Sequence, residues 1–114
     1  QNGQLDQSIQ HLSEAIQLAP DRLEPYLELG LARKERREYQ QALQIFEQAT
    51  TIDPHDPRAL FQAGLALKES KDYKSSEAML RRAVCLAPND LNIRRQLAAV
   101  VALNLVHNPR IGRN

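Results

Sequence analysis

Pro20, Pro54 and Pro88 stand 34 residues apart, and five further columns keep the same step. They are Ala15, Ala49 and Ala83; Ser8, Ala42 and Ser76; Leu12, Phe46 and Leu80; Gly30, Gly64 and Ala98; and Leu5, Tyr39 and Tyr73. A chain that repeats its small, large and helix-breaking residues in register repeats one local unit. Each copy then buries its apolar face against the next.

The stretch TIDPHDPRALFQAG, residues 51–64, shows how one unit passes to another. Pro54 lacks a backbone donor and restrains the residue before it, so it closes the helix that carries Phe46 and Ile52. Asp56 has the short acceptor side chain of an N-cap, and Pro57 falls at the first helical position, where a missing N–H does no harm. The connection is Asp53 to Asp56, and so short a link forces the two helices to pack as neighbours.

The residue content agrees with helices. Ala, Leu, Gln, Glu, Arg and Lys dominate, whereas three tyrosines, two phenylalanines, no tryptophan and four glycines argue against strands. At 114 residues the chain is one domain in length. The expected class is all-α.

A helix–turn–helix unit of this period resembles the tetratricopeptide repeat, whose pattern runs from an aromatic residue through Leu-Gly and Ala-x-x-x-Phe to Pro. One unit carries it nearly whole in Tyr26, Leu29, Gly30, Ala42, Phe46, Ala49 and Pro54. The next keeps Leu60, Gly64, Leu67, Tyr73, Leu80, Ala83 and Pro88, with Ala63 in place of the leucine and Ser76 in place of the small alanine. The resemblance implies a right-handed α-solenoid of antiparallel helix pairs, and it divides the single domain 1–114 into a partial repeat at 1–22, repeats at 23–56 and 57–90, and a first helix with a tail at 91–114. It puts the second helix of the first unit at residues 4 to 19, with Gly3 at the interhelix turn. Arg33, Arg94, Arg37 and Lys71 depart from the pattern, the last two standing where glycine is common in the turn.

Chemistry is sparse. His11, His55 and His107 have no partner at metal-ligand spacing, and Cys85 is the lone cysteine, so no zinc site, internal disulfide or cofactor is expected. A lone thiol mildly favours a reducing compartment, and a cytoplasmic protein is the default expectation. No glycine-rich phosphate loop exists, and the acid pairs Asp53 with Asp56 and Glu35 with Glu38 sit where helix capping explains them. The chain is therefore read as non-catalytic. Fifteen basic against fourteen acidic residues give a net charge of +1, too little to gather nucleic acid. The basic run ARKERRE, residues 32–38, is interspersed with acids and lacks aromatic platforms, so it is read as a solvated helix face. The longest apolar run, residues 97–106, is interrupted by Asn104 and too short to span a membrane. The chain opens at Gln1 without Met or a signal pattern, which reads as an experimental or processing boundary.

What remains is surface. The opening helix of each unit turns one face to its partner helix and another, stepped three or four residues apart, to the inner groove of the superhelix. Glu24, Leu27, Glu28, Leu31, Lys34 and Glu35 form that face in the second unit, and Arg58, Phe61, Gln62, Leu65, Lys68 and Glu69 in the third. Asn92, Arg95, Gln96 and Ala99 follow in the fourth. The candidate binding residues are Glu24, Leu27, Leu31, Lys34, Arg58, Phe61, Gln62, Leu65, Lys68 and Arg95, with the apolar stripe Leu27, Leu31, Phe61 and Leu65 at their centre.

Repeats of this family often bind peptides, and one subgroup clamps a C-terminal carboxylate with lysine, asparagine and arginine. That clamp needs polar residues where this chain has Leu27 and Leu31, and cations where it has Asn92 and Gln96, so it is missing. The resemblance implies a protein or peptide partner, and the stripe suits an apolar peptide or amphipathic helix. Burying four partly shielded side chains contributes roughly 1 kcal/mol each, enough for moderate affinity. The alternative is that the stripe packs against adjacent repeats, a terminal helix or a second chain. Two further readings are a targeting segment of a larger enzyme, and self-association through Val100, Leu103, Leu105 and Val106 of an unusually apolar last helix.

Overall fold

The computed structural model describes residues 2–108. Gln1 and the tail at 109–114 that the sequence assigns to the fourth unit lie outside the described residues. Six helices follow one another: α1 (Asn2–Leu18), α2 (Leu23–Glu35), α3 (Tyr39–Ile52), α4 (Pro57–Glu69), α5 (Tyr73–Leu86) and α6 (Leu91–His107). No strand occurs among the described residues.

Each boundary has a local cause. At all three handovers a tight turn with proline second in line is closed by one backbone bond: Arg22 N–H to Ala19 O, Asp56 N–H to Asp53 O, and Asp90 N–H to Ala87 O. Asp56 caps α4 by accepting from Arg58 N–H at 2.9 Å, with Pro57 at the first position. Asp90 caps α6 by accepting from the N–H groups of Asn92 and Ile93. Within each pair, α2 and α4 end on residues with left-handed backbone, Arg37 at φ 64° and Lys71 at φ 70°. Glu38 N–H returns to Arg33 O and Arg37 N–H to Lys34 O, the paired closure that such a residue permits, and Asp72 and Lys71 repeat it.

The columns of the repeat are the core. Ala42, Phe46, Ala49, Leu80, Ala83 and Ser76 are fully buried. Gly30 faces the Phe46 ring, where an added Cβ would come within 2.6 Å of Cζ; at Gly64 it would lie 2.7 Å from Leu80 Cγ. The glycines therefore make room for the large residue of the second helix rather than for its small ones. Ser76 uses its hydroxyl to donate to Gly64 O at 2.6 Å, binding α5 to α4.

Every helix packs on the next in sequence. Across units, α2 also approaches α4 and α4 approaches α6, whereas α1, α3 and α5 make no backbone approach within 8 Å to one another. The first helices thus form the tight inner row and the second helices the spread outer row of a solenoid. The molecule is 54 × 29 × 21 Å with a radius of gyration of 15.3 Å, against about 13 Å for a sphere-like domain of this length.

Two expectations need correction. Gly3 sits in the first turn of α1 rather than at an interhelix turn, and an added Cβ there would meet no atom within 4 Å. Val100 is fully buried with Ile93, so it is a core residue and not part of a surface for self-association.

Candidate functional site

The inner row, α2, α4 and α6, carries the candidate groove. Between α2 and α4 lies a cleft of about 230 Å³ lined by Glu24, Leu27, Glu28, Leu31, Arg58, Phe61 and Gln62. Six of the ten sequence-derived groove residues meet there, and Glu28 joins them. Leu31 is 39% exposed and Phe61 half-buried, so together they offer an apolar floor. Leu27 contributes less than its pattern implies. It is 7% exposed, packed among Leu23, Tyr26, Ala49 and Ala59, and only its edge reaches the cleft.

The polar rim is organised by ladders one repeat long. Lys34 Nζ donates to Gln62 Oε1 at 3.1 Å, and one repeat on Lys68 Nζ donates to Gln96 Oε1 at 3.0 Å. Each lysine stretches from one inner helix to the next. Burial pushes the Lys34 ammonium below its ordinary pKa, with Glu69 acting in the opposite sense. Arg58 folds onto Asp56, with donor distances of 2.7 to 3.1 Å, and reaches Glu24 at 3.5 Å. Hydrogen bonding from Arg58 holds the Asp56 carboxyl below its usual range, and the same pairing raises the arginine. The Arg58 charge is thereby spent within its own wall, while Glu28 stands exposed with no partner among the described residues.

The second half of the groove, between α4 and α6, differs. Leu65 is half-buried outside the cleft, Lys68 is engaged with Gln96, and Arg95 is exposed in the place that Leu27 and Phe61 hold in earlier units. The bound pairs Lys34–Gln62 and Lys68–Gln96 were not anticipated, although both pairs are 28 residues apart and repeat by 34, a signal the sequence carries.

Away from the groove, Asn104 Nδ2 donates to Glu77 Oε1 at 2.8 Å, both residues being buried, and Arg81 pairs with the other oxygen of Glu77 at 2.8 Å. This polar contact fastens α6 to α5. The far side of α6 leaves Leu105 at 45% and Val106 at 73% exposure, and Leu103 is half-buried. His107 stacks on Tyr73 with ring centroids 5.0 Å apart, and His11 and His55 are exposed. Among the described residues no group of three or more His, Cys, Asp and Glu is placed to hold a metal ion, and no helix is long and apolar enough to cross a membrane.

Comparison with known proteins agrees with this geometry. Residues 34–102 match a family profile described as tetratricopeptide repeat, and residues 1–36 match one described as TPR repeat. No curated protein matches the chain significantly in sequence. Similar solved structures include the type III secretion translocator chaperone SycD of Yersinia enterocolitica, with a TM-score of 0.83 and 21% identity over 90% of this chain and 83% of that one. The same chaperone in complex with a peptide of the translocator YopD gives a TM-score of 0.82 and 20% identity over the same shares. The TPR domain of Arabidopsis OM64 gives 0.79 and 26% identity over 87% of this chain and 82% of that one.

Proposed function

The chain belongs to the tetratricopeptide repeat family, and from that premise we propose that it is a non-catalytic interaction module whose inner groove receives an apolar peptide or one face of an amphipathic helix from a partner protein. The observation that carries this reading is the open cleft between α2 and α4, with Leu31 39% exposed beside Phe61. An apolar floor with a charged rim suits a side chain that enters from a partner while its flanks stay wet. The solved complex of SycD with a peptide of YopD supports peptide recognition by a protein of this fold.

The test is a Leu31→Glu variant. Because Leu31 is exposed, its thermal unfolding should shift little, whereas binding to an immobilised panel of amphipathic peptides should fall at least tenfold. Unchanged binding would overturn the reading. So would unfolding or a changed oligomeric state, because the leucine would then be structural.

A second reading rests on Leu91 at 65%, Leu105 at 45% and Val106 at 73% exposure on α6, which point to self-association through that helix. Light scattering across a concentration series decides it, and a constant monomer mass ends it.

A further inference from the structure

We infer that the groove selects a partner segment of mixed charge: a bulky apolar side chain in the cleft, a basic residue on the α2 side and an acidic residue on the α6 side. The inference rests on the groove reading above and adds the chemistry of its occupant.

The argument is the distribution of unspent charge along the inner row. On α2, Glu28 lines the cleft, exposed and without a partner among the described residues, and Glu24 makes only a 3.5 Å contact to Arg58. Lys34 and Lys68 bond the neutral amides of Gln62 and Gln96 and keep their charge outside the cleft. On α4, Arg58 is held by Asp56, and so adds little to the field along the groove. On α6, Arg95 occupies the place of Leu27 and Phe61, exposed and without a partner among the described residues. The inner surface therefore runs from negative at α2 through apolar at Phe61 to positive at α6. Two helix-to-helix steps of about 10 Å separate its ends, a span of about six residues of extended chain or about thirteen of helix. A segment of one sign would meet one favourable and one unfavourable end, whereas a mixed segment is favoured at both.

Four fluorescent peptides with identical apolar residues test this: neutral flanks, two basic flanks, two acidic flanks, and mixed flanks, the mixed one in both sequence orders because main-chain direction is free. At low salt the better mixed peptide should bind about five- to tenfold tighter than either single-sign peptide, and the margin should shrink as salt is raised. Glu28→Lys should make the acidic peptide the best binder, and Arg95→Glu the basic one; both side chains are exposed, and circular dichroism checks that the fold is kept. If the neutral peptide binds but flanking charge changes nothing, or the charge reversals do not exchange the preference, the inference falls and the groove reading stands. If no peptide of the set binds, both fall.

Discussion

The second and third units share one template, yet they secure it by different means. The pair α4–α5 has carboxylate caps at both starts, Asp56 to Arg58 N–H at 2.9 Å and Asp72 to Ser75 N–H at 3.3 Å, and a buried Ser76 hydroxyl bonded to Gly64 O. The pair α2–α3 has no side-chain cap at either start, because Arg22 and Glu38 stand at those positions. It relies instead on a Phe46 ring seated against Gly30, on Tyr26 Oη donating to Pro20 O at 2.8 Å, and on an ion pair between Arg33 and Glu38 at 2.7 Å. A repeat therefore prescribes the volumes and the turns, while polar fastening is chosen unit by unit. The open cleft lies where the two kinds of unit meet, between the uncapped α2 and the capped α4.

Three pairs of substitutions would break or sharpen that contrast. The largest effect is expected where an added methyl meets the core: Gly30→Ala should destabilise by about 3 kcal/mol and Gly64→Ala by about 1 kcal/mol, since three ring atoms of Phe46 but only two atoms of Leu80 would lie within 2.8 Å of the new Cβ. Both values include the helix propensity that alanine gains. Chemical denaturation measures them, and equal losses would erase the distinction.

Caps come next. Asp56→Ala should lower stability by about 1 kcal/mol, and Arg22→Asp should raise it by a similar amount by giving α2 the cap it lacks. The Asp56 carboxyl lies below its usual range when folded. Its contribution is therefore complete above about pH 4 and disappears as pH falls through the lower folded value. The stability difference between wild type and Asp56→Ala should close in acid, and a difference that persists there would mean the cap is not the cause.

The smallest effect concerns the interhelix turns. Arg37→Gly and Lys71→Gly each remove a side chain from left-handed backbone and should stabilise by about 0.5 to 1 kcal/mol, to a similar extent in both units. A loss in either would show that the arginine or lysine makes a contact worth more than its strain.

The period, the turns and the core columns were legible because each depends on residues within one unit. Proline and Asp56 act on their own neighbours, and Gly30 with Phe46 recurs as Gly64 with Leu80. Even the left-handed turn was marked, by two residues standing where glycine is common. What the pattern hid depends on neighbours outside the unit. Leu27 occupies the same column as Phe61, but Leu23, Tyr26, Ala49 and Ala59 close over it, so identical register gives different exposure. Asn104 interrupts an apolar run in the sequence, and its partner Glu77 lies 27 residues back in a column otherwise filled by Ile9 and Leu43, so no periodicity announces the contact.

Inner helices whose backbones approach within 8 Å and outer helices whose backbones do not give the rod a mechanical asymmetry. Bending it pivots on the contact line of α2, α4 and α6 and opens or shuts the gaps between the outer helices, such as the space of about 130 Å³ beside Met79 and Arg82. The lysine–glutamine rungs lie along that pivot, where strain on flexing is least. The groove can therefore keep its width while the molecule behaves as a short, one-sided spring.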